Sequence, residues 1–119
     1  EIRASIQSVR ALYPDKKISA VFQPHLYTRT RDFADEFARA LSLLDELILL
    51  EIYPARELPI PGITSRTIFD RVTCKEKELC EKKMLLEKIK QRNFEVLITL
   101  GAGDIDRMLP DIKAILETR

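Results

Sequence analysis

The sequence predicts an α/β domain, a Rossmann-like three-layer sandwich in which a mostly parallel sheet is flanked by helices. Three observations predict it. Short apolar runs alternate with amphipathic stretches along the whole chain. The runs are nearly continuous rather than alternating in polarity, as strands covered on both faces are. The length of 119 residues, with 45% hydrophobic and 33% charged residues, suits one domain with one core. Strand and helix in alternation argue for parallel strands joined by right-handed crossovers.

Each element has its own signal. Ile2, Ile6, Val9 and Tyr13 recur at steps of four, three and four, which predicts a helix over 1–13, ended by Pro14 and Asp15. "KISAVFQ" (17–23) reads as the first buried strand. Phe33, Phe37, Leu41 and Leu44 then mark a helix over about 29–44 with charge on its other side. "DELILLEIY" (45–53) reads as a second buried strand. "PARELPIPG" (54–62) holds three prolines and a glycine and is a loop that cannot pair in a sheet. "TSRTIFDRV" (64–72) predicts a short helix capped by Thr64 or Ser65. Residues 73–81 carry little periodicity, with "KELCE" the candidate for a short strand. "KKMLLEKIKQRN" (82–93) predicts a helix with Met84, Leu85, Ile89 and Leu86 inward. "EVLITLG" (95–101) is a strand that runs into "GAGDI", and Pro110 is expected to open the last helix, "PDIKAILE", where its missing N–H costs little.

Bulk properties exclude several classes. A formal net charge of +1 makes no global electrostatic case for nucleic acid or membrane. No apolar run approaches the ~18 residues of a membrane span, and no signal-peptide pattern opens the sequence. Cys74 and Cys80 are not spaced as CxxC, and His25 is the single histidine, so no metal cluster is expected and the cysteines read as free thiols. The sequence begins at Glu1 already in a helical pattern, as a domain cut from something longer would.

In a parallel sheet, ligands collect beyond the carboxyl ends of the strands. "PHLYTRT", "YPARELPIPG" and "GAGD" fall there, and they hold the unusual residues. Arg29 and Arg31 sit near a helix start, where backbone N–H groups and the dipole favour an anion. A guanidinium fork matches a carboxylate or phosphate; the alternative for Arg31 is an i+4 pair with Asp35. His25 is an acid/base, a donor to a ligand, or a loop residue bonded to a backbone carbonyl. Tyr27 and Tyr53 stand at strand exits as packing or contact residues. Arg56 and Glu57 form a solvent-facing pair or contact a ligand. "GAG" lacks the spacing of a dinucleotide loop and the lysine of a P-loop, yet it puts two of the three glycines where backbone must approach something closely. No Ser-His-Asp set exists, and no catalytic residue is expected within the chain.

"FQPHLYTRTRDFADEFARAL", "LDELILLEIYPARELPIPGITS" and "LITLGAGDI" resemble the C-terminal domain of the Mur ligase family, in the branch that joins L-alanine to UDP-N-acetylmuramate. The motifs occur in the family's order and cover essentially the whole chain; Cys74 to Asn93 is the least distinctive part. The resemblance implies an ATP- and Mg2+-dependent enzyme of peptidoglycan synthesis in the bacterial cytoplasm. Its three domains bind the UDP-sugar, ATP with Mg2+, and the amino acid. The reaction it implies forms an acyl phosphate that the L-alanine amine attacks, aided by domain closure.

Carried over by position, the resemblance makes Arg29 the partner of the L-alanine carboxylate, with His25 and Tyr27 beside it. "GAGDI" resembles the loop that walls the amino-acid pocket, which brings in Gly101, Ala102, Gly103 and Asp104. Arg56 stands where a sister ligase uses an arginine for its amino acid. Leu26 stands where many relatives have a second arginine. The family's strand ending in Asp-Asp-Tyr-x-His-His-Pro, its phosphate loop and its Mg2+ ligands are not in these 119 residues. The expectation is therefore an excised domain, inactive alone, whose unpaired sheet edge recruits a second chain as a homodimer. The competing readings are a free-standing α/β anion-binding or interaction module, and the C-terminal domain of a related muramyl-peptide ligase.

Overall fold

The computed structural model describes residues 2–101 and 105–118. Its elements run α1 (Ile2–Leu12), β1 (Ile18–Gln23), α2 (Tyr27–Leu41), β2 (Glu46–Leu50), α3 (Arg66–Phe69) and β3 (Glu76–Cys80). A 3-10 turn (Lys82–Met84), α4 (Leu85–Lys90), β4 (Val96–Gly101) and α5 (Ile105–Glu117) complete it. The four strands form one all-parallel sheet in the order β3-β2-β1-β4.

The two central strands are buried along their whole length, as their unbroken apolar runs require. Their side chains divide between two cores. Ile18, Ala20, Phe22, Leu47 and Leu49 meet Ile6 of α1, Ala34, Ala38 and Leu41 of α2, and Ile68 of α3. Val21, Ile48 and Leu50 meet Leu85 and Ile89 of α4 and Ile105 and Ile112 of α5 on the other face. Cys74 lies in the first core and Cys80 in the second; both are free thiols whose burial pushes their pKa up.

At the amino end of the sheet, the alternation that puts Ile48 and Leu50 in the second core also carries the buried Glu46 there. Ser19 donates to Glu46 at 2.7 Å, and Arg92 meets the same carboxylate at 2.7 Å. Lys17 lies 2.5 Å from Glu76, and Lys88 and Arg92 both pair with Glu78. A buried carboxylate survives there because cations and a hydroxyl surround it.

Several boundaries differ from the sequence reading. Helix α5 opens at Ile105, not at Pro110, which lies inside it. The lost bond would have run to the carbonyl of Asp106; both residues are exposed, which keeps the cost of losing it low. Met84 is 45% exposed rather than inward. It ends a 3-10 turn of about three residues per turn, so α-helical phasing begins only at Leu85 and brings Leu85 and Ile89 onto the sheet. Helix α2 starts at Tyr27 and ends at Leu41, and β2 stops at Leu50. Thr64 supplies the cap of α3, its Oγ1 accepting from Arg66 N at 3.1 Å, while the Ser65 hydroxyl donates to the Leu50 carbonyl. No described helix is long and apolar enough to cross a membrane.

Candidate functional site

The strand order creates one topological switch point. From β1 the chain leaves into α2 on one face of the sheet; from its neighbour β4 it leaves into α5 on the other. Diverging connections open a crevice beyond the two carboxyl ends. The floor is built by Gln23 and Gly101, which stand opposite each other in the β1–β4 register. Gly101 has φ +107°, and a Cβ on it would lie 2.2 Å from the Gln23 carbonyl oxygen. Only glycine fits that approach. The buried Gln23 side chain then caps α5, its Oε1 accepting from Ile105 N at 2.9 Å.

The β1–α2 junction is held from outside itself. Leu26, at the cap position of α2, has φ 71° and ψ 139° and offers no side-chain acceptor. Its N–H donates to the Tyr53 carbonyl at 2.9 Å, and Tyr53 N donates to the Pro24 carbonyl at 2.8 Å. The His25 and Tyr53 rings stack with centroids 5.8 Å apart. Glu57 supplies the cap. Tyr27 N and Thr28 N donate to its Oε1 at 2.6 and 3.1 Å, and Thr28 Oγ1 donates to Oε2 at 2.5 Å. These bonds, led by the Thr28 hydroxyl, hold the Glu57 carboxyl below its ordinary pKa, with Arg31 adding to the same effect. Glu57 is thus not the solvent-facing partner of Arg56 that the sequence suggested; a helix start with no acceptor of its own attracts it more strongly.

Two clefts open on the rim and share Gln23. The one at the switch point, about 610 Å³, is lined by His25, Arg29 and Gly101 together with Arg3, Arg39 and Phe33. Arg29 is exposed, and among the described residues none of the ion pairs involves it. The cleft therefore presents guanidinium groups and an imidazole, with the Glu36 carboxylate also in its lining, beside an apolar wall, an arrangement able to take a small carboxylate. The second cleft, about 770 Å³, lies between the 52–66 loop and the end of β3 and takes Tyr27 and Tyr53 into its wall.

The predicted residues therefore separate. His25, Arg29 and Gly101 share one cleft and Tyr27 lines the other, while Arg56 lines neither and is exposed on the 54–57 turn. Ala102, Gly103 and Asp104 lie outside the described residues. Arg31 pairs with Asp32 at 2.8 Å instead of Asp35, which pairs with Arg71. Sequence reasoning missed Gln23, Arg3 and Arg39, and it read Glu57 as a solvent-facing partner of Arg56 or a ligand contact rather than as the cap of α2.

Over 116 residues the chain is 59% identical to the UDP-N-acetylmuramate–L-alanine ligase of Parabacteroides distasonis, a match covering 98% of this chain and 25% of that protein. The chain matches a segment of the UDP-N-acetylmuramate–L-alanine ligases. The ligase of Phocaeicola vulgatus is 58% identical over 120 residues, covering 100% of this chain and 26% of its own length. The crystal structure of UDP-N-acetylmuramate–alanine ligase MurC from Thermotoga maritima superposes with a TM-score of 0.66 at 28% identity, over 98% of this chain and 23% of that one. No family model matches the chain. The chain spans about a quarter of the length of the curated ligases it matches. Over the matched region the Thermotoga maritima structure shares the α/β fold described above.

Proposed function

We propose that this chain is the amino-acid-holding C-terminal domain of a cytoplasmic ligase that joins L-alanine to UDP-N-acetylmuramate in peptidoglycan synthesis. The observation that carries the reading is the meeting of His25, Arg29 and Gly101 in one crevice at the switch point, within a segment matched at 59% identity. Arg29 takes the L-alanine carboxylate as a forked, charge-assisted pair. His25 donates from the β1 exit, and Gly101, without a side chain, lets the ligand approach the backbone. Phe33 gives the methyl group an apolar wall. Arg56 is left to solvent.

The chain alone does not fit the nucleotide and metal that such a ligation uses. Among the described residues no group of three or more His, Cys, Asp or Glu side chains is placed to hold a metal ion, and the sequence has no P-loop lysine motif. ATP and Mg2+ are accordingly assigned to regions of the ligase outside these 119 residues, and the contribution of this chain is to bind and orient the amine-bearing substrate.

The test is ATP consumption by a ligase containing this chain, with UDP-N-acetylmuramate and each candidate amino acid. L-Alanine is expected to be preferred. Arg29→Ala is expected to raise the KM for L-alanine about 10–100-fold, the loss of one charge-assisted contact, with a smaller change in kcat. An unchanged alanine dependence in that variant would remove Arg29 from the role.

A further inference from the structure

The rim is built from two segments distant in sequence that behave as one piece. Residues 24–28 leave β1 and start α2; residues 53–57 follow β2. Two backbone bonds, a ring stack and the three Glu57 contacts tie them together. Of these ties only Glu57 carries charge, and it sits on the positive end of α2. That helix start is therefore filled by a carboxylate of the chain itself. A ligand anion must be met by side chains next to it, and Arg29 is in the same first turn that Glu57 holds.

Leu26, one residue before the amides that Glu57 holds, adds a strained point at the same junction. Its φ of 71° is a conformation that non-glycine residues keep only when their surroundings impose it. The surroundings are the Tyr53 carbonyl on its N–H, and Thr30 N and Thr30 Oγ1 on its carbonyl at 3.2 and 2.9 Å. His25 lies immediately before this residue and Arg29 three after it. A loosened cap would let both swing relative to Gly101, which the β1–β4 register holds in place.

We propose that Glu57 is a positioning residue for the switch-point cleft: its carboxylate clamps the 53–57 turn onto the first turn of α2 and so sets Arg29 and His25 against Gly101. The clamp is a property of the fold; its consequence for alanine rests on the function proposed above.

The experiment compares the 119-residue chain with Glu57→Ala and Glu57→Gln by NMR, following the Tyr27 and Thr28 amides, the Arg29 Nε–H and the His25 ring. Sodium acetate is titrated against sodium chloride at equal ionic strength. In Glu57→Ala the Arg29 and His25 signals are expected to move, and acetate is expected to shift the two amides saturably and bring Arg29 and His25 back towards their original positions. Acetate should leave the Tyr27 and Thr28 amides of the unsubstituted chain unchanged, because Glu57 already occupies them. If the Arg29 and His25 signals stay in place when Glu57 is truncated, or acetate restores neither, the clamp is overturned.

Should Glu57→Ala fail to fold, the decision passes to Glu57→Gln. The unsubstituted chain should show an acid titration at both amides that is absent from the glutamine variant, and its persistence there would also overturn the proposal. In a ligase containing this chain, Glu57→Ala should raise the KM for L-alanine about tenfold. Persistence of the NMR coupling while Arg29→Ala leaves alanine dependence intact would refute the substrate reading and keep the clamp.

Discussion

At Gly101 the backbone runs at φ +107° with the Gln23 carbonyl oxygen 2.2 Å from where a Cβ would stand. Gly101→Ala combines a left-handed φ with a clash against main chain that has no room to move. The substitution is expected to destabilise the chain by at least ~2 kcal/mol in a urea melt. Gly62, also at positive φ but with open space around its Cβ position, should tolerate alanine better, through strain alone. At this scale the sequence put His25, Arg29 and Gly101 at strand exits, and the structure brings the three into one cleft. The capping role of Glu57 was not legible. A lone glutamate in a proline-rich loop looks the same in sequence whether it faces water or a helix start, and only the fold brings it 30 positions back along the chain to Tyr27 and Thr28.

At the scale of elements, the apolar runs located β1, β2 and β4, and the periodic stretches located α1 and α2, because burial on two faces or on one stripe leaves a direct pattern. Strand β3 was faint for the opposite reason. Both it and β4 are edge strands of the described sheet, but β4 keeps an apolar, half-buried run, whereas the first residues of β3 are exposed and "EKELC" carries the charges that protect an open edge. The start of α5 escaped the sequence because its cap is Gln23, from another strand, and a proline conventionally placed in the first turn sits a turn and a half further in. Gln23→Leu, which keeps the bulk and removes the acceptor, should leave the Ile105 N–H without its partner. A loss of about 1–3 kcal/mol is expected, with faster amide exchange at the start of α5. Equal exchange in both proteins would mean that water caps this helix adequately.

For the whole molecule, electrostatics sets a pH window. Asp45 accepts from Ile18 N at 2.8 Å and pairs with Arg10, Glu57 caps α2, and Glu76 pairs with Lys17; all three carboxyls are held below their ordinary values. A depressed folded-state pKa gives stability that is present above the unfolded value and lost as pH falls through the folded one. Stability should therefore begin to drop as pH passes below the ordinary Glu value of 4.5 and continue below the Asp value of 3.8. Lys17 is raised above 10.5, led by its bond to Glu76, so its contribution persists through neutrality and fades only above that value. Thermal melts across pH 3 to 11 would check both limbs, and a chain most stable at pH 3 would contradict the acid limb.

The sequence by itself determined the layer architecture, the identity of the central strands and the resemblance to the ligases, since periodicity, turn chemistry and long motifs are local quantities. The strand order, and with it the crevice between β1 and β4, was decided by tertiary structure. So were the separation of Tyr27 and Arg56 from His25 and Arg29, and the capping of two helices by Gln23 and Glu57. The physical reason is common to all of them: an unsatisfied N–H at a helix start and a register between strands are met by whichever group the fold brings near, and that group is not a neighbour in the chain.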